Sequence, residues 1–290
     1  MNTSQVSKPT WYARIGVALL FLLVGGFIVL VISPLRPYFN DNHRYDYLTR
    51  LAACVVLLVV ALLGRRLKWD TRFLQVLYGL LILTVAVSID YIFGIYLITR
   101  LNVDSHTPAG YALLKLNTFV VIFGVILVLN KVTGNTTGHV YIQKGNLKLG
   151  LIIGICTFVV AAATAVPTAQ FMFKAGDLPW GKIAPILPWL LLFVLANGAQ
   201  EELSFRGLFL RKLEPYLGKF LTNFIIAFVF TGLHQAADYT SQMAIFLGVT
   251  MLLALLWGYI AQKTNSLWAS ILFHAGMDIS IMIGIFSNLK

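Results

Sequence analysis

Acidic residues are scarce in this chain: three glutamates and eight aspartates stand against 22 lysines and arginines in 290 residues. Charged residues of both signs reach only 11%, hydrophobic residues make up 59%, and mean hydropathy is +0.82. A soluble domain of this length is excluded, because its surface requires about a quarter of its residues to be charged. Cysteine is nearly absent too. Cys54 and Cys156 lie in separate apolar runs without disulfide or metal-ligand spacing, and both are expected in the core. No polar stretch is long enough for a soluble domain: the longest connections are Pro34–Asp46, Lys131–Lys148 and Thr168–Lys182. No basic run interleaved with aromatics suggests nucleic acid. No internal repeat is visible, which speaks against a transporter built from paired halves.

What is present is a succession of apolar runs, each near the ~20 residues a spanning helix requires. They fall at Ile15–Ser33, Tyr47–Gly64, Phe73–Thr99, Tyr111–Asn130, Leu149–Pro167, Pro188–Leu213, Lys219–Gln235, Met243–Gln262 and Ser266–Phe286. The expected fold is all-α, a polytopic transmembrane helical bundle of eight to nine spans. The first run is too long for a signal-peptide core and is read as a retained anchor. With nine spans, one side of the membrane collects 14 of the 22 basic residues. The positive-inside rule makes that side the cytoplasm and places the N-terminus there. The net charge of +11 is then explained by loops facing anionic lipid. Trp11, Trp180, Trp189 and Trp268 fall near span ends, as an interfacial belt requires.

Chemistry-bearing residues are unevenly spread. The first five spans carry only Asp90 and Lys115 as formal charges, with Lys115 most simply read as snorkelling to the interface. The last four carry Glu201, Glu202, Arg206, His234, Asp238, His274 and Asp278. The chain divides accordingly into N-terminal helices without a recognised motif, 1–182, and a working part, 183–290. Pro185 and Pro188 suit the first turn of the helix carrying the glutamates, and Pro215 with Gly218 is expected to end it after Arg211-Lys212. Neighbouring positions on a helix point about 100° apart, so Glu201 and Glu202 serve different faces. Glu202 and Arg206 are four apart, the spacing at which opposite charges meet, which leaves Glu201 as the unpaired acid. A carboxylate in a water-poor cavity suits a general base. The same cluster also reads as an ion-paired helix end. Phe230 and His234 share a face, Asp238 follows one turn on and is placed to orient His234, and His274 with Asp278 repeats the spacing. At 1.5 Å per residue the two histidines and Glu201 occupy one depth band, and a cavity opening to the cytoplasm is expected.

Glu-Glu-x-x-x-Arg, then Phe-x-x-x-His, then His-x-x-x-Asp on successive membrane helices resembles the CPBP family. Its members are intramembrane endopeptidases that include CAAX prenyl proteases and Abi-type enzymes linked to bacteriocin processing and self-immunity. The resemblance covers about Pro185–Phe286. It implies that Glu201 and His234 activate a water molecule, that His274 and Asp278 stabilise the oxyanion, and that Glu202, Arg206 and Phe230 support the site. The eukaryotic pattern has asparagine at the position of Asp278, and prokaryotic members accept either residue. An ionised Asp278 repels an oxyanion, so its expected role is to charge and orient His274.

No cofactor is expected. The mechanistic alternative is zinc held by Glu201, His234 and His274, a ligand set of two histidines and a glutamate, although the H-E-x-x-H arrangement is missing. The partners expected are membrane lipid and a membrane-associated peptide or protein substrate. The competing function is a non-enzymatic membrane immunity factor or scaffold, with a transporter third.

Overall fold

The computed structural model describes residues 9–33, 43–176, 179–237, 240 and 242–289. All regular structure in them is helical. Seven continuous helices are long and apolar enough to cross a membrane, and a bent pair raises the number to eight. The chain is a multi-pass membrane protein. We label the helices α1 (Trp11–Ile32), α2 (Arg44–Arg66), α3 (Thr71–Leu101), α4 (Pro108–Val132) and α5 (Leu147–Ala163, continuing at 62° as Ala165–Phe173). The next helical stretch, Gly181–Leu233, contains one residue with non-helical torsions, Gly218, with φ 74° and ψ 171°. There the chain doubles back, giving α6 (187–217) and α7 (219–233). Arg206 and Phe230, each twelve positions from Gly218, stack with the guanidinium 4.5 Å from the ring centroid. The C-terminal helices are α8 (Met243–Thr264) and α9 (Trp268–Ser287). With the split at Gly218, nine segments result, the upper end of the expected range.

The break falls at Gly218, the second of the two residues expected to make it, and not at Pro215. Proline removes one N–H, and the helix runs through it. Gly218 adopts torsions that are nearly inaccessible to residues with a side chain. A Cβ at Gly218 meets no atom within 4 Å, so Gly218→Ala introduces backbone strain alone. It is expected to destabilise the α6/α7 hairpin by about 1–3 kcal/mol, read as a lower unfolding temperature of the detergent-solubilised protein. An unchanged unfolding temperature contradicts the turn.

The hairpin determines where the site lies. Glu201 is seventeen residues before Gly218 and His234 sixteen after it, so two antiparallel helices bring them to the same level. On α6, a π-helical turn, Leu203–Gly207, follows the paired glutamates directly. Such turns are frequent at functional sites. α9 packs on α5 and α6. Their approach depends on small residues: Gly198 lies against the α9 backbone at Ile271 and Ala275, and Gly276 against Phe158. The N-terminal helix belongs to the same core, with the Phe21 and Phe209 rings 4.9 Å apart, edge to face.

Three expectations about individual residues are corrected. Cys156 is exposed rather than in the core, on a face it shares with exposed Ile152, Ile155 and Val159. A helix apolar all round gives no sequence signal separating the lipid face from the core face. Arg206 and Lys212, two of the 14 basic residues assigned to the cytoplasmic side, are both buried. Removing these two leaves 12 of 22 basic residues on the assigned side.

Candidate active site

The π turn and the last turn of regular helix before it hold the densest polar cluster. Arg206 donates from Nη1 to Glu202 Oε1 at 2.9 Å, with both side chains fully buried, and from Nη2 to the Ala254 carbonyl at 3.1 Å. Its guanidinium also lies over the Phe230 ring and, at 5.3 Å, the Trp257 ring. Such contacts gain weight when desolvated, about 2 kcal/mol. A single buried ion costs several kcal/mol, so the pair requires these additional partners.

Glu202 serves a second partner. His274 Nδ1 lies 2.9 Å from the same Oε1. A carboxylate that already accepts from Arg206 leaves Nδ1 as the donor, and Nε2 points the other way. There it meets Glu201 Oε2 at 3.5 Å and Asp278 Oδ1 at 3.7 Å. The imidazole plane is held by Trp257, stacked at 3.9 Å between centroids and 6° between planes. Orientation of His274 therefore falls to Glu202 and Trp257, where the sequence pointed to Asp278. The sequence spacing overlooked contacts between helices, and these decide the ring's position.

Asp278 is fixed from α6: Asn197 Nδ2 donates to its Oδ2 at 2.8 Å. Glu201 is 5% exposed, and its Oε2 makes no hydrogen bond. His234 lies 3.0 Å through Nδ1 from the Phe230 carbonyl. A carbonyl only accepts, so Nδ1 carries the proton and the neutral ring offers its Nε2 lone pair. The Phe230 ring lies 4.7 Å from the imidazole, as the four-residue spacing required. Asp238, expected to orient His234, lies outside the described residues.

Two cavities meet at this cluster. One, of about 50 Å³, is bordered by His234, His274 and Asp278, and the other, of about 80 Å³, by Glu201. Glu201 on one cavity and His274 on the other lie 3.5 Å apart. Among the described residues, no group of three or more His, Cys, Asp or Glu side chains is placed to hold a metal ion. His274 Nδ1 is committed to Glu202 and His234 Nδ1 to Phe230.

Residues 183–280 match the family model for type II CAAX prenyl endopeptidase, Rce1-like. They form an Rce1-like segment. No curated protein and no solved structure matches the chain. At family level the activity is CAAX-type intramembrane proteolysis, a hydrolase chemistry, and a CAAX box is a C-terminal motif.

The Rce1-like segment contains the whole cluster described above, from Asn197 to Asp278. Sequence reasoning overlooked two of its members. Asn197 is four residues before Glu201, on the same helix face, a signal that was available. Trp257 lies seven residues before the end of α8, and its stacking on His274 is a contact between helices that the sequence does not signal. Asp90 and Lys115 lie outside the Rce1-like segment, yet both border the Glu201 cavity. The snorkelling expected of Lys115 is replaced by a place in the cavity wall.

Proposed function

We propose that this protein hydrolyses a peptide bond of a membrane-associated peptide or protein, with Glu201 and His234 activating the attacking water. One observation carries this reading. Glu202 takes up both Arg206 and His274, which leaves Glu201 buried beside His274 with an oxygen that makes no hydrogen bond. Such a carboxylate accepts a proton from water as the oxygen attacks the scissile carbonyl. The His234 Nε2 lone pair accepts from the same water and orients it. A proton on His274 Nε2 donates to the tetrahedral oxyanion, and Asp278 supports that ring. As the intermediate collapses the C–N bond breaks, and the proton held by Glu201 passes to the leaving amine.

We place the protein in the cell membrane with its basic connections and N-terminus in the cytoplasm. Peptide maturation, or bacteriocin processing and self-immunity, is the context we favour. The test is mass spectrometry of membrane-associated peptides from host cells expressing wild type or Glu201→Ala at equal membrane levels. New termini produced only by wild type support proteolysis and identify the substrate. Identical profiles with an unchanged cellular phenotype favour the non-enzymatic scaffold.

Asp278→Asn removes a carboxylate facing His274 Nε2 while keeping its shape. It is expected to lower kcat at neutral pH by at least tenfold. Retained activity means the negative charge is dispensable. Turnover is expected to be insensitive to a membrane-permeant chelator. Inhibition reversed by added zinc would instead install the metal at Glu201, His234 and His274.

A further inference from the structure

A groove of about 820 Å³ runs between α7 and α8 and shares no lining residue with the two cavities at the polar cluster. On α8 it is bordered by Leu252, Leu256, Tyr259 and Lys263, positions four, three and four apart, which make one stripe along a helix. From Leu252 to Lys263 the stripe runs about 16 Å, close to half of the ~30 Å hydrocarbon core. The groove is one leaflet deep. At its polar end Gln262 Nε2 donates to the Lys219 carbonyl at 3.2 Å, which brings Lys219 and Lys263 to one level. One turn deeper, Asn223 Nδ2 donates to the Leu255 carbonyl at 2.8 Å, and a Cβ at Gly258 would strike the same amide. The two helices are therefore joined along the floor of the groove, while its rim is open, with Phe220 77% exposed and Leu252 64%.

Exposed apolar side chains on a membrane helix require no protein partner, because lipid tails are as apolar as leucine. Two lysines at one end of a groove require more. Both are exposed, and none of the residues lining the groove is acidic. The complement is an anionic head joined to an apolar tail one leaflet long, which describes an anionic phospholipid. A zwitterionic lipid brings a cation of its own to the two lysines. A second copy of this chain, sharing this face in the same membrane, sets four lysines at one level, where they repel.

The geometry points to a site for one anionic phospholipid, with its phosphate between Lys219 and Lys263 and an acyl chain lying along Phe220, Leu256 and Leu252. Tyr259, one turn deeper than Lys263, sets an amphipathic ring at the level of the glycerol esters. The lipid touches both helices of a pair in which α7 leads into His234 and α8 carries Trp257, the residue stacked on His274. Its binding therefore holds together two helices that border the polar cluster. The site does not depend on the peptidase reading.

The test uses the full-length protein, purified in detergent and stripped of lipid, with dioleoyl phosphatidylglycerol and dioleoyl phosphatidylcholine as probes and native mass spectrometry as the readout. Wild type is expected to bind phosphatidylglycerol about tenfold tighter or more, the scale on which two lysines act on an anionic headgroup. The double variant Lys219→Met, Lys263→Met should bind both lipids alike, and Lys219→Arg, Lys263→Arg should keep the preference. Removing two exposed cations elsewhere, Arg65→Met with Arg66→Met at the end of α2, should leave it intact. Leu252→Trp fills the deep end of the groove and should weaken both lipids. Thermal melts confirm that the variants are folded. Equal affinities in wild type, or no binding, overturn the site. So does a preference that survives the methionine pair at Lys219 and Lys263, or one lost equally with the two arginines. Unchanged binding in Leu252→Trp overturns the acyl groove. A dimer in the same spectra that Leu252→Trp dissociates puts a second copy in the groove and overturns the lipid.

Discussion

Glu201→Gln is expected to lower kcat on a cleavable membrane peptide by about 10³-fold, within the range associated with removing a general base. Glutamine keeps the length and shape of the side chain but does not take a proton from water. Because the proton moves only in the transition state, the loss belongs in kcat, with KM changed little. Folding should be nearly unaffected, since Glu201 Oε2 has no hydrogen bond to lose. The comparison with Glu202→Gln separates the two neighbours. That variant weakens the contacts of both Arg206 and His274 and should lower the unfolding temperature as well as the rate. A Glu201→Gln enzyme within tenfold of wild type would remove Glu201 from the role of base.

The fold class was legible because the membrane imposes one pattern, long apolar runs between polar connections, and nearly every run became a helix. The Glu202–Arg206 pair and the Phe230–His234 contact were legible because each lies within one turn of one helix. Contacts made across helices were not. That His274 would hang on Glu202 and stack on Trp257 depends on how α6, α8 and α9 pack, and the apolar surfaces deciding this are chemically alike on their lipid and core faces. Lys115 shows the same limit. A lysine seven residues into a span reads as an interfacial group, and only the neighbouring positions of α3 and α6 turn it toward Glu201. The hairpin at Gly218 sits between these cases, since Pro215 and Gly218 together marked a break and the backbone torsions assign it to Gly218.

Arg206→Met should be the most damaging change to folding in the site. Methionine fills much of the volume and suits the Phe230 and Trp257 surfaces, yet it takes the guanidinium from the buried Glu202 carboxylate and leaves it His274 alone. Removing one partner of a buried pair costs about 3–5 kcal/mol, a large fraction of the margin of a typical domain. The variant is expected to accumulate poorly in membranes and to lose its cooperative melt in mild detergent. The double variant Glu202→Gln, Arg206→Met removes both charges and should recover most of that stability, because the uncompensated ion is gone. It should not recover catalysis, since His274 Nδ1 then faces an amide in place of a carboxylate. Stability restored with activity still absent separates the two duties of Glu202, neutralising Arg206 and aligning His274. A single Arg206→Met variant as stable as wild type would show that the pair does not hold the bundle together.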